Sequence, residues 1–228
     1  MKKIGYTAVQ ISGFGQVDKK EVAKLLADSG LTVAATHFDW TDFLNDTEGL
    51  IEIHKMYNCK HTAIGGLWGK YNSPEGLKQF LSELPAVWEK LNAAGLDFSY
   101  HNHNHELARL DGKKTYLELL YDLSDPKMLN AELDLYWIQA GGGNPVSWVK
   151  RCAGREPLIH YKDFGVTADG ETRYKDIGEG NLEWAEIIQA SIGGGVEYAL
   201  IEQDNTYDRD PFESLAISYN YLRQMGLS

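Results

Sequence analysis

The segment Tyr100–Leu107 reads Tyr-His-Asn-His-Asn-His-Glu-Leu. In extended backbone successive side chains point to opposite sides. His101, His103 and His105 are therefore expected on one face, with Asn102 and Asn104 on the other. Imidazoles beside Glu106 are the side chains that ligate metals and move protons near neutral pH. The apolar run Leu96–Tyr100 after Gly95 reads as a strand, which puts the cluster at its C-terminal end. A lone histidine is ordinarily a satisfied core or surface residue. This density of polar groups at one strand end reads as function.

Other polar residues close other apolar runs: His37, Asp134, His160 and Glu202. With Glu106, the last three make three carboxylates and one imidazole from four successive strand ends. That set suits one divalent cation, Mn²⁺, Mg²⁺, Co²⁺ or Zn²⁺, with positions left for substrate. Such an ion polarises a carbonyl and holds a neighbouring hydroxyl, while Glu106 and Glu202 act as acid/base groups. Glu132 precedes Asp134 by two and points the same way, so spacing does not choose between them. Taken singly, a strand-end acid is ordinarily a helix cap or a surface charge, and Asp163 and Asp204 carry that reading. Lys162 suits an oxyanion or an ion pair with Asp163. Trp68 and Trp137 ordinarily pack, but an indole at a strand end also serves as a sugar platform. With His37, His101 and His103 they form the expected substrate-binding set.

Strands are expected at Ile4–Ile11, Leu31–Phe38, Thr62–Leu67, Leu96–His101, Leu129–Tyr136, Pro157–Lys162 and Tyr198–Glu202. Between them run helical patterns with recognisable ends. Asp18 caps Lys19–Ser29 and Gly30 stops it; a helix opens at Asp46 or Thr47; Ser73-Pro74 opens the next; Thr115–Leu123 follows. Three more are expected: one after Pro145, one over Leu182–Ser191 capped by Asn181, and one after Pro211. Strand and helix in alternation predict a parallel sheet with crossover helices. In a β/α barrel the polar strand ends meet at one face. An open doubly wound sheet would carry a glycine-rich phosphate loop after its first strand, and Ser12-Gly13-Phe14-Gly15 is only a turn.

The 228 residues are read as a single domain, 1–228. A net charge of −11 argues against nucleic acid or anionic membrane as a partner. No apolar run reaches the roughly 18 residues of a membrane span, and the N-terminus lacks a signal-peptide core. Cys59 and Cys152 stand alone, as expected of small buried side chains in a reducing cytoplasm.

The runs YHNHNHEL, ELDLYW with AGGGNP, HYKD, DIGEGNLEW and YALIEQD are similar to the sugar phosphate isomerase/epimerase group of the xylose isomerase-like TIM barrels, over essentially the whole chain. The resemblance implies a divalent metal held by Glu, Asp, His and Glu from the last four strands. Asp134, His160 and Glu202 match. For the first ligand Glu106 is expected, with His101 or His103 as the alternative, because many relatives carry this glutamate on the strand itself, where His101 stands here. Trp137 stands where many epimerases of the group have a histidine. The implied activity is an isomerase or epimerase acting on a small sugar or keto-sugar derivative through an enediolate. The alternatives are a lyase or dehydratase on a keto-sugar, inosose or 3-keto-glycoside, and an inactive sugar-binding module. Ile4–Ile11 matches the family's second strand. Seven strands are thus expected, without the first β/α unit, leaving an opening between Ile4–Ile11 and Tyr198–Glu202 whose exposed edges favour a homo-oligomer.

Overall fold

The computed structural model describes residues 1–13, 15–110 and 112–227. The strands are β1 (Ala8–Ile11), β2 (Thr32–Phe38), β3 (His61–Ile64), β4 (Asp97–His101), β5 (Asn130–Asp134), β6 (Leu158–Tyr161), β7 (Asp163–Val166), β8 (Thr172–Lys175) and β9 (Tyr198–Ile201). Seven of them form one parallel sheet in the order β1-β2-β3-β4-β5-β6-β9. The helices are α1 (Lys19–Ser29), α2 (Trp40–Tyr57), α3 (Pro74–Ala93), α4 (Tyr116–Leu123), α5 (Leu135–Ala140), α6 (Pro145–Arg151), α7 (Trp184–Gly194) and α8 (Pro211–Gln224). This is the expected seven-stranded TIM-type barrel. The expected opening is present too, since β1 and β9 are the two ends of the sheet order.

Strands β3 and β6 are buried along their whole length, as strands must be when helices cover one face and the barrel interior the other. The opening is spanned by side chains. Tyr6 donates its hydroxyl to the carbonyl of Leu215 in α8 at 2.8 Å, and its ring meets Tyr219 edge-on at 5.2 Å. Gly5 lies against Tyr219 so closely, at φ +131°, that no side chain fits there.

Three elements depart from the sequence reading. Helix α2 begins at Trp40, not at Asp46 or Thr47; the capping signal at Asp46 marks a kink, where φ is −147° and the carboxylate accepts from Gly49 N at 3.0 Å. The fifth strand stops at Asp134, because Asp134 accepts from Trp137 N at 3.0 Å and caps α5. Strands β7 and β8 form an antiparallel hairpin that the reading omitted.

Asp163, at the start of that hairpin, is fully buried and is no surface charge. Its carboxylate accepts from Phe164 N, Gly178 N, Gly180 N and the Trp184 indole, all within 3.1 Å. The HYKD and DIGEGNLEW runs are thus two halves of one knot that seats the hairpin and the start of α7. Nor does Asn181 cap that helix, which starts at Trp184; Asn181 N donates instead to Phe164 O at 2.6 Å. Replacing Asp163 with Ala strands several buried donors, and a loss of about 3 kcal/mol is expected. Thermal unfolding followed by circular dichroism should show the midpoint fall by roughly 6–12 °C.

Candidate metal and sugar site

The C-terminal ends of β4, β5, β6 and β9 bring His101, Asp134, His160 and Glu202 together, each offering a ligand atom within 4.8 Å of the others. His101 Nε2 lies 3.5 Å from Asp134 Oδ2, and His160 Nδ1 lies 2.8 Å from Glu202 Oε2. Asn102 clips the strand ends in register, its Oδ1 accepting from Asp134 N at 3.1 Å. Both nitrogens of His101 and Oδ2 of Asp134 are buried without a hydrogen-bond partner. Buried polar atoms are ordinarily satisfied. Orphaned atoms converging from two strands, with a third imidazole-bearing strand beside them, fit a divalent cation.

A second group, His37, Glu132 and His160, is as close-packed. Its atoms are engaged with each other and with Gln10. Glu132 accepts from His37 Nε2 at 2.6 Å and from Gln10 Nε2 at 2.7 Å, and His160 Nε2 meets Gln10 Oε1 at 2.7 Å. This group is a closed hydrogen-bond network lying deeper in the barrel.

The structure does not bring Glu106 to the cluster. The strand ends at His101, and residues His105–Leu107 form a 3₁₀ turn, so the histidine alternation is broken. Glu106 is enclosed, accepting from the Tyr100 hydroxyl at 2.7 Å and from His103 N at 2.9 Å. Burial raises its pKa. His105 turns to the carbonyl of Leu67 at 3.0 Å.

A cavity of about 450 Å³ reaches the cluster at His101 and Glu202 and is lined further by His37, His103, Ile11 and Phe38. Trp68 stands at the rim, 56% exposed, its ring 4.2 Å from His105 and 5.1 Å from His103. Trp137 flanks His103 at 5.4 Å. Lys162 is buried, with Nζ 2.7 Å from Asp204, 3.2 Å from Glu202 and 3.4 Å from Asp134. Tyr174 of the hairpin stacks on Tyr136 and covers the same ammonium. Gln10, Tyr174 and the role of Asp204 escaped the sequence reading. Gln10 had one signal, a lone amide inside an apolar strand.

Burial, then the neighbouring His160, lowers the pKa of His101; burial, then His101, takes His103 down to about 3. Burial opposes the charged form of His160, but Glu202 and Glu132 override it and push it up to about 10. Burial works against ionised Glu132 too, yet His37 and His160 hold it well below the usual carboxylate range. Glu202 is held low in the same way by His160 and then Lys162. Glu132, Asp134, Glu202 and Asp204 thus stand against Lys162 and His160, an excess of acid that favours a cation and repels phosphate.

The family description that matches residues 1–192 is the xylose isomerase-like TIM barrel. The chain belongs to this family. A search of the curated proteins gave no match. Among solved structures, the chain is similar to a sugar phosphate isomerase/epimerase from Parabacteroides distasonis, with TM-score 0.81 and 23% identity over 97% of this chain and 85% of that one. It is also similar to an L-ribulose 3-epimerase, with TM-score 0.71 and 18% identity over 99% and 86% of the two chains. A third neighbour, a xylose isomerase-like TIM barrel protein from Mycobacterium smegmatis in complex with magnesium, has TM-score 0.72 and 13% identity over 98% and 85%. At these identities the likeness is one of fold. Among the described residues no helix is long and apolar enough to cross a membrane.

The depressed histidines make the metal-free protein acid-sensitive. Below about pH 6.5 the unfolded chain takes up protons on His101 and His103 that the folded chain refuses. Stability therefore falls as the pH drops, and the contribution of His103 goes on falling to about pH 3. Melting temperatures of the metal-free protein should decline from pH 7 to pH 4, and His103→Asn should flatten that decline.

Proposed function

We propose that this chain is a divalent-metal-dependent isomerase or epimerase acting on a small, unphosphorylated sugar or keto-sugar derivative. The observation that carries the reading is the set of orphaned atoms on His101 and Asp134, converging with His160 and Glu202 under a cavity lined by histidines. His101, Asp134, His160 and Glu202 would hold the ion, with His101 in the place first expected of Glu106. When bound, the ion supplies Lewis-acid polarisation of a carbonyl oxygen.

The remaining work falls to the chain's own side chains. Burial keeps His101 and His103 neutral, so they present imidazole to substrate hydroxyls without adding charge. Glu202 is held ionised by His160 and Lys162, and its side chain is 40% exposed toward the cavity, so a carboxylate oxygen is available to take a proton from carbon. Glu106 is enclosed and does not line that cavity, which leaves Glu202 to carry the proton between adjacent carbons on one face of an enediolate. One base on one face favours isomerisation over inversion at a single carbon. Lys162, buried 3.2 Å from Glu202 and 3.4 Å from Asp134, would offset negative charge that builds up beside the ligand set, and the exposed Trp68, with its ring near His103, would offer a face for sugar C–H groups.

Titration with Mn²⁺ followed by calorimetry should show one ion bound per chain. At about 100 times the dissociation constant the ion should add about 2.7 kcal/mol of stability. His101→Ala should abolish this binding, whereas Glu106→Gln should lower the melting temperature and keep the ion. A panel of aldoses, ketoses and keto-glycosides, followed by mass and by deuterium uptake, reads the reaction. Conserved mass is expected, and Glu202→Gln should slow turnover by roughly 10²–10⁴-fold. A product lighter by one water, or loss of an aglycone, replaces this reading with a lyase.

A further inference from the structure

Gln10 lies on β1, at one edge of the barrel's opening, and its side chain reaches inward to two of the buried groups. Its Nε2 is 2.7 Å from Glu132 Oε1, and its Oε1 is 2.7 Å from His160 Nε2. The direction of this relay is fixed by chemistry. Glu132 already accepts from His37 Nε2 through its other oxygen, and the amide turns its NH₂ to Glu132 Oε1. The amide oxygen then faces His160, and His160 must donate from Nε2. The other oxygen of Glu132 accepts from His37 Nε2 at 2.6 Å, so the carboxylate is pinned from two strands and cannot rotate away from Gln10.

We propose that Gln10 is a positioning residue for the ion: it holds one proton of His160 on Nε2, so that Nδ1 is the nitrogen that gives up its proton and ligates when an ion binds. Nδ1 is the nitrogen that faces Glu202, at 2.8 Å, and Glu202 is the exposed edge of the ligand set. Nε2 also lies 3.3 Å from Glu132 Oε1, a longer contact than the 2.7 Å to the amide oxygen, so Gln10 is its nearest acceptor. Outer partners of metal-ligating histidines set tautomer and ring orientation, and their loss typically costs about 10–100-fold in metal affinity.

The inference rests on the proposed divalent-ion reading, and the experiment separates the two. Mn²⁺ affinity is measured for the wild type, Gln10→Met, which keeps the length of the side chain without its hydrogen bonds, Glu132→Gln and the double variant. Expected is a roughly 10–100-fold weaker binding in Gln10→Met. Glu132→Gln should weaken binding as well, and the double variant should be little worse than the weaker single, since both break one relay. Long-range ¹H–¹⁵N spectra of the Zn²⁺-loaded wild type, labelled at histidine, should show His160 protonated on Nε2 and ligating through Nδ1. This second readout needs no variant to fold. Wild-type binding with Gln10→Met within twofold of it, or a proton on Nδ1 in the loaded wild type, overturns the role of Gln10 and leaves the metal reading standing. A wild type that binds no divalent ion overturns both.

Discussion

Glu132 is a carboxylate with no exposure to water in the middle of a barrel. Burying an ion costs several kcal/mol unless charged or donating partners surround it. Here the partners come from three other strands: Gln10 on β1, His37 on β2 and His160 on β6. None is close to Glu132 in sequence, so the charge is tolerated only when the sheet has curled enough to bring β1 back toward β6. The barrel interior thus depends on this contact in a way that an all-apolar interior would not. Gln10 and His160 meet across the same side on which β1 and β9 fail to pair, so part of the closure that backbone hydrogen bonds do not provide is provided by a polar side-chain bridge.

That network shares His160 with the proposed ion ligands and reaches lower in the barrel through Glu132, two residues before Asp134 on β5, and the two acid–histidine groups differ in how far they are satisfied. The lower group is self-sufficient because each carboxylate oxygen already has a donor. The upper group is not, because Asp134 Oδ2 faces an imidazole at 3.5 Å that neither donates to it nor bonds elsewhere. Both nitrogens of His101 thus stay unsatisfied at the strand tips, beside a His160–Glu202 pair and a Lys162 that already engages Asp134 and Glu202.

The fold was legible because its signals are local and strong. Asp18 accepts from Lys20 N and Gly30 adopts the left-handed conformation that ends α1; Ser73 and Pro74 open α3 as read. The misreadings also have local causes. Leu133 to Ile138 is an almost continuous apolar run that reads as strand, and only the cap made by Asp134 turns it into α5. The hairpin strands are four residues each, Asp-Phe-Gly-Val and Thr-Arg-Tyr-Lys, too short for alternation to declare itself, although Asp169-Gly170 marked their turn. The gathering of Asp134, His160 and Glu202, in the proposed ligand set, was legible because strand periodicity aims them inward. Glu106 misled because a loop residue's direction is set by tertiary partners, here the Tyr100 hydroxyl and the His103 amide, and no spacing rule contains those. Gln10 was missed for the same reason: its meaning lies in Glu132 and His160, more than a hundred residues away.

The exchange of Glu106 for His101 changes more than a name in the proposed ligand set. Three carboxylates and one imidazole carry three negative charges; His101, Asp134, His160 and Glu202 carry two, so a divalent ion bound by them is formally neutralised. Two imidazoles also shift the preference away from Mg²⁺, which favours oxygen, toward Mn²⁺, Co²⁺ or Zn²⁺. Lys162, buried against Asp134, Glu202 and Asp204, lowers the electron density on the same carboxylates. Both effects would make an ion held there more electrophilic toward a carbonyl oxygen than a three-carboxylate site would. A strongly polarised carbonyl acidifies the adjacent C–H. That suits a site in which Glu202, weakened as a base by His160 and Lys162, is the carboxylate placed to take the proton.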